Sequence, residues 1–299
     1  MSKIDMTDEL DLIWNAGTPV KFNDLPKYSL WSKRMLGLLN WSRIERSEGE
    51  LKREFENEQY FPLYQQLLAD ETVKDVNCLT SKFYQLSDLC YTMKGNFRVL
   101  PFTDAMRLGT LWILHYLSKF ADLENTSAIV DIGAGAGQVI LQIALSNMFN
   151  NTSFYALERM QSAREIIKII SYRNNCKINV DNCDIMSKTI AKNIPEKAIL
   201  YTSYVLTYAL NTQKDTIESF CDLKPALVFN FEPFASFCDQ NTLYGELCAK
   251  YLEINKYNTS FDIELYKRNG KTIDIIYKEG NIFGDNPYLP ASLIVWKPR

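Results

Sequence analysis

Histidine is almost absent from this chain of 299 residues, in which His115 stands alone. The seven cysteines form no C-x-x-C pair, and with one histidine they do not predict a zinc or other metal site. No apolar run approaches the roughly 18 residues that a membrane span requires. Positive charge is not in excess either, since the formal net charge is −3. The composition therefore indicates neither a membrane protein nor a nucleic-acid-binding surface.

The cysteine content and the N-terminus together predict the compartment. The number of cysteines is odd, and the chain does not open with the pattern of a secretory signal. We therefore expect reduced thiols and a cytoplasmic protein. The hydrophobic share of 46% is ample for a large core. The sequence leaves the oligomeric state open, and a homodimer is compatible with it.

Residues 1–122 have the pattern of helices and are expected to form a cap or substrate-binding region. The segment 47–68 opens with a capping box, in which a serine is followed three residues later by a glutamate, and Pro62 is expected to break or restart its helix. Apolar spacing predicts two further helices, over 79–93 and 103–123.

Residues 123–299 alternate between short apolar runs and amphipathic segments. Strands are predicted at 128–132, 153–158, 177–181, 197–202 and 226–231, and helices at 137–147, 160–173, 185–193, 203–219 and 240–253. Such alternation indicates βαβ units, a mainly parallel sheet and helices on both faces. The C-terminus predicts an antiparallel hairpin of strands 260–267 and 271–278, or a pairing with 290–296. The expected fold is a doubly wound α/β sheet of seven strands with a helical N-terminal cap.

Three glycines lie within five residues of the stretch 128-AIVDIGAGAGQVILQIA-144. Gly133, Gly135 and Gly137 follow the first predicted parallel strand, at the sheet edge where α/β proteins bind ligands. Glycine permits positive φ and a close approach to the backbone. Asp131 would repel a pyrophosphate and would suit a cationic amino-acid group. A nicotinamide-dependent oxidoreductase is therefore disfavoured.

The run 130-VDIGAGAGQ-138 resembles motif I of the class I S-adenosylmethionine-dependent methyltransferases. The resemblance extends to the order of elements over about 127–299, and it implies S-adenosylmethionine as the cofactor and methyl transfer as the activity. Ala134 belongs to the implied cofactor loop together with the three glycines. The continuation 138-QVILQ-142 is also similar to non-SET histone lysine methyltransferases, which keeps a protein side chain open as the acceptor.

The resemblance implies further cofactor contacts after the second, third and fourth parallel strands. Glu158 would accept hydrogen bonds from the ribose hydroxyls, and Asp184, or alternatively Asp181, would accept one from the adenine amino group. The residues expected beside these acids in the same site are Arg159, Ile185 and Thr202.

The acceptor is expected to be a small molecule that is methylated at nitrogen. Oxygen nucleophiles often need a general base, usually histidine, and none follows the fourth or fifth strand. Glu232, in 228-VFNFEPF-234, could hold an amine or guanidine, and Tyr204 lies in the turn where the methyl group would be. These two are the catalytic candidates.

The sharpest expectation is an arginine-like amino acid, whose carboxylate would bind Lys94, Arg98 or Arg107. The loop 280–290 is a further candidate for the border of this pocket. A small-molecule O-methyltransferase, a protein methyltransferase and a non-catalytic cofactor-binding protein remain alternatives.

Overall fold

The structure is a computed structural model that describes residues 6–40, 47–121, 126–146, 148–149, 151–185, 190, 193–209 and 213–299. Its ten strands are β1 Thr18–Val20, β2 Asp88–Met93, β3 Asn96–Pro101, β4 Ala128–Ile132, β5 Ser153–Leu157, β6 Ile178–Asp181, β7 Ile199–Ser203, β8 Leu227–Glu232, β9 Ile273–Gly284 and β10 Ala291–Pro298. All ten belong to one sheet in the order β1-β3-β2-β9-β10-β8-β7-β4-β5-β6.

The helices alternate with the parallel strands in the second half of the chain, and most helices of the first half lie between β1 and β2. They are α1 Met6–Ala16, α2 Leu25–Tyr28, α3 Leu30–Met35, α4 Glu48–Lys52, α5 Phe61–Ala69, α6 Val76–Tyr84, α7 Phe102–Phe120, α8 Gln138–Leu145, α9 Gln161–Arg173, α10 Gln213–Asp222, α11 Leu243–Ile254 and α12 Phe261–Arg268. A π-helix, Arg53–Tyr60, joins α4 to α5. The helix expected at 185–193 lies largely outside the described residues.

Strands β6, β5, β4, β7 and β8 form the parallel half of the sheet. Successive residues of β4 pack into two different cores. Ile129 packs in one core with α7 and α8, and Val130 packs in the other with α10 and α12. Helices therefore cover both faces, which confirms the predicted doubly wound α/β architecture. The order in which strands are added to the sheet changes direction at β4, because β5 pairs on one side of β4 and β7 pairs on the other.

The other half of the sheet is antiparallel and larger than the seven-strand prediction allows. β10 pairs with β8 and β9, and β9 pairs with β2, so that strands from the N-terminal region extend the sheet. The helix expected at 79–93 was wrong beyond Tyr84, because residues 88–93 form β2. β2 and β3 are joined by Lys94 and Gly95, whose φ values of 49° and 76° are typical of a two-residue type I′ hairpin turn.

The strand expected at 260–267 was also wrong. Residues 261–268 form helix α12, in which Phe261 and Leu265 are buried one turn apart. Asp262 and Glu264 lie in its first turn, whereas Lys267 and Arg268 lie in its last, which favours the helix dipole. The alternative prediction, a pairing with 290–296, was confirmed, because β9 runs antiparallel to β10.

The described residues connect the two predicted parts of the chain through backbone pairing. Thr92 and Met93 of β2 lie opposite Gly284 and Phe283 of β9. Residues 122–125, where the division was placed, lie outside the described residues, and the division stays a prediction. Within the described part of the chain, no helix combines the length and apolar character needed to cross a membrane.

Candidate active site

The loop between β4 and α8 contains the three glycines, each with a positive φ of 77°, 54° and 85° in turn. A Cβ atom on Gly133 would lie 2.3 Å from Cγ2 of Val205, and one on Gly135 would lie 2.9 Å from the Tyr60 hydroxyl. A Cβ on Gly137 would lie 2.7 Å from Cγ1 of Ile167 in α9. The glycines are therefore required by their backbone conformation and by protein atoms that pack against them.

Several backbone N–H groups of this loop already have partners within the protein. Those of Gly133 and Ala134 donate to the carbonyl of Leu157, at 2.8 and 3.1 Å. The N–H of Gly135 donates to Oε2 of Glu158 at 2.8 Å. A carboxylate therefore occupies the position at which a dinucleotide-binding loop would present free N–H groups to a phosphate.

Asp131 and Glu158 are buried carboxyl groups at the ends of β4 and β5. Burial raises the pKa of Asp131 to about 7, and the nearby charge of Glu158 adds to this shift. Burial also raises the pKa of Glu158, although the N–H groups of Met160 and Gly135 oppose this shift. A cationic ligand beside these two groups would favour their ionised forms.

A cavity of about 740 Å³ lies above the loop, at the carboxyl edge of the parallel strands. Nine of the twelve predicted site residues line it, namely Asp131, Gly133, Ala134, Gly135, Glu158, Arg159, Asp184, Ile185 and Tyr204. The alternative Asp181 does not line it, since its side chain instead accepts from the N–H of Asn182. The structure thus brings together residues from four separate loops, as expected from the order of strands.

Three of the predicted residues do not line the cavity. Gly137 faces α9, and the Thr202 hydroxyl accepts a hydrogen bond from the side chain of Asn230 at 3.0 Å. Glu232 is 1% exposed, and its Oε1 accepts from the N–H of Val205 at 3.1 Å. The lining of the cavity therefore gives no support to the predicted contact between Glu232 and the acceptor, which stays a prediction. This carboxyl group lies beneath the turn that follows β7.

Tyr204 lies in that turn and lines the cavity. Its φ of 58° is in the left-handed region, which is uncommon for a tyrosine. Its hydroxyl donates to the carbonyls of Phe283 (3.2 Å) and Leu289 (3.1 Å). Tyr204 therefore ties the turn after β7 to the loop between β9 and β10.

Arg159 is the single cationic side chain among the described residues that line the cavity. It forms ion pairs with Glu48 of α4 and with Asp184, the latter at 3.5 Å. Five acids line the same cavity, namely Glu54, Asp131, Glu158, Asp184 and Asp285. The cavity is therefore acidic and suits a ligand that carries positive charge.

The cations expected to bind an acceptor carboxylate lie elsewhere. Lys94 pairs with Glu279, and Arg107 pairs with Glu9. Arg98 donates to the carbonyl of Gly17 at 2.7 Å. His115 packs against the rings of Trp112 and Tyr116 and does not line the cavity. These positions remove the support for a carboxylate-binding group at this site.

Two groups of cavity residues were not predicted from the sequence. Asp285 belongs to the loop 280–290, which was expected at the border of the pocket but without a named residue. The other group is aromatic and comes from separate parts of the chain: Trp31, Phe55, Tyr60, Tyr208, Tyr251 and Tyr257. Nothing in the sequence indicates that these rings lie together, because 17 tyrosines and 16 phenylalanines are spread over the chain.

No protein-family model and no curated protein sequence matches the chain. Solved structures do match. Magnesium protoporphyrin IX methyltransferase from Synechocystis PCC 6803 with bound S-adenosylhomocysteine has a TM-score of 0.50 and 11% identity, covering 84% of this chain and 100% of that one. Coclaurine N-methyltransferase has a TM-score of 0.45 and 12% identity, covering 92% and 72%.

A third solved structure is N,N-8-amino-8-demethyl-D-riboflavin dimethyltransferase from Streptomyces davawensis, with a TM-score of 0.46 and 15% identity, covering 66% of this chain and 57% of that one. Identities this low bear on the fold alone. Together with the strand order, the match to the Synechocystis enzyme shows that the chain has the fold of the class I S-adenosylmethionine-dependent methyltransferases.

Proposed function

We propose that the protein is an S-adenosylmethionine-dependent methyltransferase that acts on a small molecule. The observation that carries the proposal is the pairing of two buried carboxyl groups, Asp131 and Glu158, with a glycine loop at the floor of the cavity. The two carboxyl groups and the loop lie at the point where the strand order changes direction, between β4 and its neighbours. This is the usual ligand position of open α/β folds.

The donor set fits this cofactor better than it fits a dinucleotide. Glu158 accepts the hydrogen bond of a loop N–H group, which is then no longer free for a phosphate. The negative charges of Glu158 and Asp131 would also repel a pyrophosphate. In the proposed complex Asp131 holds the ammonium group of the cofactor and Glu158 its ribose hydroxyls. Asp184 accepts from the adenine amino group, and Ile185 packs beside the base.

When bound, the cofactor supplies a methyl group that is already activated by a positively charged sulfur. The protein therefore has chiefly to orient the acceptor and exclude water. We infer that the acceptor atom is nitrogen, because no histidine lines the described cavity and an uncharged amine carries its own lone pair. An amine or a guanidine suits the acidic cavity. An arginine-like amino acid is less well supported, because Arg159 is already paired.

The N-terminal region serves as the cap of this site in our proposal. Phe55 and Tyr60 line the cavity, and Glu56 of the same π-helix accepts from the N–H and hydroxyl of Ser162 at the start of α9. The cap thereby excludes water from the methyl group.

The test is a pair of measurements on purified protein, namely S-adenosylhomocysteine affinity and S-adenosylhomocysteine release from S-adenosylmethionine. The release assay uses a panel of amines, guanidines, phenols and basic peptides. We expect binding, and release with amines or guanidines. Release with phenols alone would overturn the nitrogen assignment, and release with peptides alone would indicate a protein acceptor. Binding without any release would support a non-catalytic cofactor-binding protein.

Glu158→Gln provides the matched variant. It should weaken S-adenosylhomocysteine binding by about 1–3 kcal/mol, because an amide NH₂ donor takes the place of one of the two buried acceptor oxygens. Glu71→Gln, on the exposed surface, is the control and should bind as the wild type does. Equal affinity in both variants would contradict the assignment of Glu158.

A further inference from the structure

One side of the cavity is bordered by a continuous row of aromatic rings. This row is here called the aromatic wall and is defined as Trp31, Tyr251, Tyr257, Tyr208 and Phe55. Each ring contacts the next in this order, with centroids 5.4, 6.3, 5.6 and 5.4 Å apart. Three of these contacts are edge to face, at angles between 80° and 89°. All five rings line the cavity.

Asp285 contributes the single carboxylate that the loop between β9 and β10 presents to this part of the cavity. Two hydrogen bonds brace the loop: the N–H of Tyr288 donates to the side chain of Asn286 at 3.0 Å, and the Tyr244 hydroxyl donates to the carbonyl of Pro287 at 2.8 Å. The two hydrogen bonds of the Tyr204 hydroxyl hold together the two sides of the loop. These hydrogen bonds hold the backbone on both sides of Asp285 at the border of the cavity.

The carboxylate of Asp285 lacks a cationic partner among the described residues. Its side chain is exposed and borders the cavity. Burial raises the pKa of Tyr204 and Tyr251, and the negative charge of Asp285 adds to this effect. Asp285 therefore lies near the aromatic wall. Asp285 therefore presents to the cavity a carboxylate that a cationic ligand would reach directly.

We propose that Asp285 and the aromatic wall form the acceptor subsite, and that the acceptor is an organic cation with an apolar body and no carboxylate. This inference rests on the proposed function and specifies its substrate class. The carboxylate would pair with the protonated amine and, by accepting one of its protons, would leave the neutral nitrogen whose lone pair attacks the methyl group. Ring faces of the wall would attract the bound cation and cover its apolar body.

The charges around the subsite exclude amino acids as the favoured acceptors. Arg159 is paired with Glu48 and Asp184 beside the cofactor half. Arg34 stacks on the Trp31 ring, 4.6 Å from its centroid, and does not line the cavity. The carboxylate of an amino acid would therefore approach Asp285 with no free cation from the described part of the cavity to neutralise it. A decarboxylated amine avoids this repulsion.

The test measures binding to the full chain by calorimetry, first with S-adenosylhomocysteine alone. The second ligand, added to the protein saturated with S-adenosylhomocysteine, is phenethyltrimethylammonium, a cation that cannot be methylated at its nitrogen. Its control ligand is the neutral isostere in which a tert-butyl group replaces the trimethylammonium group. The variants are Asp285→Asn and, as the matched exposed control, Asp11→Asn.

We expect the wild type to bind the cation more tightly than the isostere. Asp285→Asn should weaken cation binding about ten- to a hundredfold, leaving the affinities for the isostere and for S-adenosylhomocysteine unchanged. Asp11→Asn should match the wild type. Equal affinity for cation and isostere, or no binding of the cation by the wild type, would overturn this inference alone. A failure to bind S-adenosylhomocysteine would instead overturn the proposed function.

A turnover comparison checks the exclusion of carboxylates. Phenethylamine and phenylalanine differ by a carboxylate, as do agmatine and arginine. The decarboxylated member of a pair should be methylated at a higher kcat/KM in the wild type. Preference for the amino acid in both pairs would contradict the proposal.

Discussion

Two buried carboxyl groups define the chemistry of the site at the scale of single residues. Asp131 was predicted from its place just before the glycine loop and Glu158 from the resemblance to the methyltransferase family, and both line the cavity. Glu232 was predicted as a catalytic candidate but lies beneath a turn. Strand ends in the sequence do not show which way a side chain points. Asp285 was missed because a single aspartate in a Gly- and Pro-containing loop is ordinary turn chemistry.

Asp131 makes cofactor affinity depend on pH. Its raised pKa of about 7 means that it is partly protonated at neutral pH in the free protein. Since an ammonium group needs the ionised carboxylate, the affinity for S-adenosylhomocysteine should rise with pH up to about 7 and then level off. Calorimetry between pH 5.5 and 8.5 should also show proton release below pH 7. Asp131→Asn should bind weakly at every pH, and a variant that retains the wild-type profile would contradict this role.

The loop between β4 and α8 requires glycine at position 133 for two reasons, its backbone conformation and its close packing. Gly133→Ala combines a positive φ with a Cβ that would lie 2.3 Å from Val205. Gly95→Ala is the matched control, because its φ of 76° is nearly the same but no atom lies within 4 Å of the added Cβ. We expect both variants to lose about 1–2 kcal/mol of unfolding free energy to backbone strain. Gly133→Ala should lose about 1–3 kcal/mol more through overpacking.

Urea unfolding measures these losses. The double variant Gly133→Ala with Val205→Ala provides a further check, because it should recover part of the loss caused by overpacking. Equal losses in Gly133→Ala and Gly95→Ala would show that close packing against Val205 does not constrain this loop.

The turn after β7 depends on Glu232 beneath it. Burial raises the pKa of Glu232 to about 8, against an ordinary value of 4.5. The folded protein therefore holds this proton over a range in which the unfolded chain has lost it. The contribution of Glu232 is complete below pH 4.5 and is lost as pH rises towards 8, with a slope of at most about 1.4 kcal/mol per pH unit.

Glu232→Gln imitates the protonated acid and should remove this slope. Unfolding free energies from urea titrations at pH 5, 6.5 and 8 would show the difference between wild type and variant shrinking or reversing as pH rises. S-adenosylhomocysteine affinity should stay within about twofold, corresponding to a change below about 0.5 kcal/mol. A constant difference at all three pH values would mean that Glu232 is ionised in the folded protein.

The elements predicted best were those with long, unambiguous patterns. The five parallel strands and the capping box of Ser47 and Glu50 were confirmed. The β2–β3 hairpin was missed although Lys94-Gly95 between alternating runs is a turn signal. α12 was misassigned because F-D-I-E-L alternates like a strand, and its dipole-matched charges were the signal that distinguishes the two.

The whole molecule is organised around a sheet that continues from the C-terminal part into the N-terminal one. Backbone pairing of β2 with β9, together with the packing of α7 against β9, joins the two parts. No sequence pattern shows which distant strands pair, and this continuity therefore could not be predicted. We expect one cooperative unfolding transition.

Tryptophan positions make this expectation testable. Trp296→Phe leaves every tryptophan in residues 1–122, so its fluorescence reports the N-terminal part, whereas circular dichroism reports the whole chain. The two urea midpoints of this variant should coincide. Separated midpoints would show that the N-terminal part unfolds independently despite the shared sheet.

The most direct test of the central claim is a pair of calorimetric titrations of the wild-type protein, one with S-adenosylhomocysteine and one with NAD. The acidic loop predicts saturable binding of S-adenosylhomocysteine and no binding of NAD, whose pyrophosphate would face Asp131 and Glu158. Saturable binding of NAD without binding of S-adenosylhomocysteine would contradict the account.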